Sequence, residues 1–105
     1  MKKIINAAVR CIGRNEKDKS EWMLGIGYDH SSCYDYIKAR YNCYPRLAPA
    51  RYICEEGFLL EDNSFVNRID AFNIAKENNQ LLPEYNHYTD VLHNGLKSYM
   101  IDWSK

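Results

Sequence analysis

Five arginines, Arg10, Arg40, Arg46, Arg51 and Arg68, are the side chains of this sequence best suited to hold an anion. Each guanidinium is a permanently charged, planar fork of donors that meets two phosphate oxygens at once. One of them stands in a dense stretch, GFLLEDNSFVNRIDAF, where Phe58, Phe65, Asn67 and Arg68 surround a polar turn. A helix starting at Asn67 places unpaired backbone N–H groups beside the Arg68 cation, and a phenyl ring offers a flat apolar face to a base. The chemistry this constellation points to is recognition of a nucleotide-like anion. A lone arginine more commonly serves solubility, so the clustering with an amide and two rings carries the argument.

Groups for bond making are sparser. His30, His87 and His93 are the histidines, and none stands four residues from another or in an H-E-x-x-H setting, so no metal ligand set is predicted. Cys11, Cys33, Cys43 and Cys54 are 22, 10 and 11 residues apart, without a C-x-x-C pair. They read as free thiols of a reducing cytoplasm, packed as small apolar groups. A Cys-His nucleophilic pair stays open, because its members need not be neighbours in sequence. Phosphate-cradling glycine loops and the G-x-S-x-G elbow are absent. The carboxylate pairs Glu55-Glu56 and Glu61-Asp62 fall at predicted turns, where a solvated face explains them. No catalytic residue and no cofactor is assigned.

The elements that position these residues follow from hydrophobic pattern and turn chemistry. Residues 3–13 and 21–28 are β-prone and flank the charged turn RNEKDKS, which predicts a hairpin with Arg10 near the end of its first strand. HSSCYDYIKARYN predicts a helix capped by Ser32, with Asp35 three positions on and a largely apolar side of Tyr36, Ile37, Ala39, Arg40 and Tyr41. Pro45 and Pro49 end it in an extended connection. RYIC, GFLL and SFV read as short strands joined by turns, with Asp62-Asn63 at the last turn. Asn67 caps a second helix over about residues 68 to 78, in which Ile69, Ala71, Phe72, Ile74 and Ala75 recur at helical spacing and Asn78-Asn79 ends it. In the tail, Thr89 is a candidate cap for a brief helix through His93, Gly95 a stop, and SYMIDW a final turn. The fold class is α+β: one domain over residues 1–105, a small antiparallel sheet with two main helices on one face.

Fourteen Lys and Arg balance 14 Asp and Glu, so the 105-residue chain has no net field to coat long nucleic acid. No apolar run approaches the roughly 20 residues that span a bilayer. Nine Tyr, three Phe and two Trp supply core volume and stacking faces.

On AAVR at 7–10, Asp29-His30 before a helix, Gly57-Phe58, FVNR at 65–68, and Leu96, Ser98 and Trp103 near the end, the chain resembles the phage Thoeris anti-defence sponge family. That resemblance implies a non-enzymatic protein that captures a cyclic ADP-ribose isomer made by TIR-domain proteins of bacterial Thoeris immunity, leaves it intact, and in some members also takes up cyclic oligonucleotides. It implies dimers, in some members hexamers, working in the host cytoplasm. It assigns Phe58 and Phe65 to ring contacts, Asn67 to polar reading, and Arg10 and Arg68 to the pyrophosphate. The chain departs from the family pattern at Tyr28-Asp29, where a basic residue is usual, and at Asn63, where a turn glycine is usual. Two other readings stand beside it: an inhibitor that binds a host enzyme, and a Cys-His enzyme.

Overall fold

The computed structural model describes residues 2–13, 22–86 and 95–105. Strand β1 (Ile4–Gly13) pairs antiparallel with β2 (Trp22–Gly27) on one side and β3 (Tyr52–Leu60) on the other, and β3 pairs with the short β4 (Phe65–Asn67). The sheet order is β2-β1-β3-β4. The first two strands are the predicted hairpin; its turn at 14–20, and the tail positions His87, Thr89 and His93, lie outside the described residues.

Strand pleating sends alternate residues to opposite faces. Ala7, Val9 and Cys11 of β1 and Phe58 and Leu60 of β3 share one buried cluster with Cys33, Tyr34 and Ile37 of helix α1 (His30–Tyr41) and Ala71, Phe72 and Ala75 of helix α2 (Arg68–Glu77). Both helices therefore cover the same face of the sheet, as the α+β reading expects. α1 lies close on β2 because Gly25 has no side chain there: a Cβ would overlap the Cys33 carbonyl and meet Ile37 Cγ1 at 2.8 Å. The opposite face is covered by no helix among the described residues.

Four expectations change. α1 begins at His30, with Asp29 as its N-cap: the Asp29 carboxylate accepts the Ser32 N–H at 2.7 Å. Asp29 and Ser32 are both good caps, and the earlier start adds His30, Ser31 and Ser32 to the helix. The buried side is Cys33, Tyr34 and Ile37, while Tyr36 and Tyr41 stay exposed. RYIC and GFLL form one strand, β3, that runs straight through Glu55-Glu56. Its carboxylates are tolerated because Arg10 meets Glu55 on one face and Arg68 meets Glu56 on the other. Finally, Cys11 and Cys54 are partners in the β1–β3 register, Cα atoms 4.1 Å apart, and form a disulfide; Cys33 and Cys43 are the free thiols. Spacing along the chain carries no information about that cross-strand register.

The second helix runs as predicted, with the Asn67 side chain accepting the Asp70 N–H at 2.8 Å. Ile69 remains outside the core. The turn before β4 uses Asn63 at φ 69°, a left-handed conformation that asparagine tolerates, so it stands in for glycine there. After α2 the chain returns through buried Gln80, whose amide donates to the Ile4 carbonyl at 2.9 Å and accepts the Ile4 N–H at 3.0 Å. Leu81 bridges to Ile101, and residues 98–100 form a 3-10 turn.

Candidate functional site

The five predicted binding residues are divided between the two faces of the sheet. Beneath the helices, His30 and Arg68, the first residues of α1 and α2, meet: Arg68 Nη2 lies 3.2 Å from His30 Nδ1. Arginine only donates, so Nδ1 carries the lone pair and the proton sits on Nε2, which donates to the Gly57 carbonyl at 2.9 Å. Burial, with the Arg68 charge adding to it against the Gly57 carbonyl, holds the His30 pKa below its ordinary value. Arg68 also ion-pairs with Glu56, and Tyr34 Oη donates to the same carboxylate at 3.2 Å. Burial and the neighbouring Glu56 push the Tyr34 hydroxyl up to about 12. Phe58, fully buried, packs edge-on against His30 with centroids 5.3 Å apart.

One buried polar atom of this cluster, Arg68 Nε, has no hydrogen-bond partner among the described residues; Arg68 makes its contacts through Nη2. His30 has no free lone pair to act as a base, and burial pushes the Cys33 thiol, one turn along α1, up to about 12, so no thiolate is poised beside it. Phe58 shows no ring face to solvent.

The other face carries no helix among the described residues, although Ala8 and Leu59 on it are buried. Gly57 lets β4 and the Phe65 ring approach β3, since a Cβ there would overlap the Val66 carbonyl oxygen and sit 2.6 Å from Phe65 Cζ. The Arg10 guanidinium rests over that ring, its carbon 4.4 Å from the centroid. Arg10 also donates to Glu55 at 2.7 Å through Nε. Arg10, Ile12, Ile53 and Glu55 line a hollow of about 250 Å³. Ile53 is 48% exposed in it, although an isoleucine is ordinarily among the most buried residues.

Arg10 and Phe65 are thus brought together, Phe58 and Arg68 are brought together elsewhere, and Asn67 serves as the α2 cap between the two faces. Partners of these residues that were missed are His30, Tyr34 and Glu56 below, and Ile12, Ile53 and Glu55 above. The period-two alternation ICEEGF held the signal, since a strand through it separates Ile53, Glu55 and Gly57 from Cys54, Glu56 and Phe58. Among the described residues, no group of three or more His, Cys, Asp or Glu is arranged to hold a metal ion, and no helix is long and apolar enough to cross a membrane.

Fold and site together define a small α+β protein that displays an arginine–aromatic contact on the sheet face opposite its two helices. Residues 3–98 match the family model described as phage T4 y16D protein, and the chain belongs to that phage protein family. No curated protein and no solved structure matches it.

Proposed function

We propose that this phage-family protein is an anti-defence sponge: it binds and holds a cyclic ADP-ribose isomer of the kind made by TIR-domain proteins of Thoeris immunity, without degrading it, in the host cytoplasm. The observation that carries this reading is the Arg10–Phe65 contact beside the apolar hollow on the face opposite the helices. A guanidinium, a ring and an apolar floor are the counterparts of a pyrophosphate and a purine. Stacking a base on an aromatic ring contributes on the order of 1 to 3 kcal/mol, and a hydrogen bond to a charged group roughly 1.5 to 3.

Magnitudes favour Arg10 over Arg68 as the phosphate contact. The Arg10–Glu55 pair is solvated, with both side chains over 40% exposed, and such pairs contribute only about 0 to 1 kcal/mol. A diphosphate displaces that carboxylate at little cost, leaving Glu55 to accept ribose hydroxyls. The Arg68–Glu56 pair is more enclosed and additionally tied to His30, so Arg68 and Phe58 support the wall rather than touch the ligand.

A hollow of about 250 Å³ falls below the roughly 300 to 1,000 Å³ of sites that bury a drug-sized ligand. Self-association, as a dimer or higher as far as a hexamer, supplies the rest when a second copy closes over the face.

The test is release. The protein is incubated with the products of a TIR-domain cyclase, separated from free ligand, heat-denatured, and the supernatant assayed. Release of unaltered signal supports capture. A chemically changed signal indicates an enzyme, and signal that was never depleted indicates a protein-binding inhibitor; either outcome defeats the proposal.

A further inference from the structure

Away from that face, the charge of the chain is unevenly placed. Residues 36 to 54, YIKARYNCYPRLAPARYIC, hold Lys38, Arg40, Arg46 and Arg51 and no carboxylate, in a chain of zero net charge. Lys2, Arg10 and Arg68 each meet a carboxylate. Lys38, Arg40 and Arg46 meet none among the described residues; each is set over a tyrosine ring. Arg46 lies 4.6 Å from the Tyr34 centroid, Lys38 5.6 Å from Tyr44, and Arg40 5.9 Å from Tyr41. Arg51 repeats the pattern at 5.3 Å from Tyr52.

The local fold makes a strip of them. Asn42 ends α1 in a left-handed conformation, φ 53°, and turns the chain back so that Tyr44 and Arg46 return against Lys38 and Tyr34, which are neighbours one helical turn apart. A 3-10 turn, Pro45–Leu47, then presents Arg46 beside Leu47, which is 81% exposed. Tyr41 and Tyr44 keep about two-fifths of their surface in solvent.

We propose that this strip, from the end of α1 through the 3-10 turn, binds single-stranded nucleic acid over a few nucleotides. Uncompensated cations attract phosphates, and exposed tyrosine faces stack on unpaired bases of any sequence. Stacked duplex bases offer such rings no face, and a neutral chain has too little charge to coat a long polymer. An acidic peptide supplies the charge without the flat partners. The inference is independent of the capture of a cyclic signal, which occupies the other face of the sheet.

Fluorescence anisotropy with a labelled oligouridine 12-mer tests it. About three phosphate contacts, at a slope near −0.7 each for a single strand, predict roughly 15- to 20-fold weaker binding between 50 and 200 mM salt. Lys38→Glu with Arg46→Glu should abolish binding at 200 mM salt, and Tyr44→Ala should weaken it several-fold without changing the salt slope. Lys76→Glu, exposed on α2, is the control for net charge and should bind as the parent does. Circular dichroism melts establish that each variant is folded. The inference is overturned by any of the following: no binding at 50 mM salt, equal weakening by Lys76→Glu, undiminished binding by Tyr44→Ala, a duplex bound as tightly as the single strand, or phosphatidylserine vesicles bound through these residues in place of the oligonucleotide.

Discussion

Arg68 donates to His30 Nδ1 across 3.2 Å, joining the first residue of one helix to the first residue of the other. The two helices are anchored to one point on β3, because His30 in turn donates to the Gly57 carbonyl and Arg68 pairs with Glu56. Only neutral His30 fits this arrangement, since a proton on Nδ1 would face the guanidinium.

Stability should therefore fall with acid in a defined window. The His30 pKa is lowered by folding, chiefly by burial, so its contribution is complete above the unfolded value of 6.5 and is lost as pH falls from there toward the folded value. The slope should stay well below the one-proton limit of about 1.4 kcal/mol per pH unit, because the ring is partly solvated. Urea unfolding at pH 7.5, 6.5 and 5.5 should show this loss in the parent and not in His30→Gln, whose amide reproduces one donor and one acceptor.

The two ion pairs of β3 should differ in worth. A double-mutant cycle on Glu56 and Arg68 should give a coupling of about 1 to 2 kcal/mol, and one on Arg10 and Glu55 about 0.5 kcal/mol or less, since the second pair is the more solvated. Equal couplings would remove the argument that Arg10 is the more easily recruited cation.

Gln80→Leu should be among the costlier single changes. It strips both partners from the Ile4 backbone N–H and carbonyl in a buried position, so two hydrogen bonds are lost and two groups stay unsatisfied. A loss of about 2 to 4 kcal/mol in denaturant unfolding is expected. Gln80→Glu should be at least as costly at neutral pH, because the carboxylate still accepts the N–H but sets a buried charge against the Ile4 carbonyl.

Thiol titration of unfolded, unreduced protein should find two reactive thiols, Cys33 and Cys43, and four after reduction. Four before reduction would restore the reading of all cysteines as free.

Where the sequence was informative, the reason is local. Asn67, Asp70 and the spacing Ala71, Phe72, Ala75 describe a capped helix within ten residues, and Asp62-Asn63 describes a turn within four. Cap choice at α1 was ambiguous because Asp29 and Ser32 both qualify, and the residue that the earlier start adds, His30, makes its contact with Gly57, 27 residues away. Glu55-Glu56 looked like a turn because adjacent carboxylates are common on solvated loops; their partners, Arg10, Arg68 and Tyr34, lie 12 to 45 residues away. For the same reason the five candidate binding residues were legible as a list and not as a site. The face on which each sits follows from the β1–β3 and β3–β4 registers, which pair Arg10 with Glu55 and Leu59 with Phe65.

The most direct measurement of the central claim is titration calorimetry of a purified cyclic ADP-ribose isomer into the parent protein and into Phe65→Ala. Removing the ring over which Arg10 rests should weaken binding about 10- to 100-fold while the melting temperature changes little. Tight binding that is indifferent to Phe65, or no heat with any isomer, would contradict it.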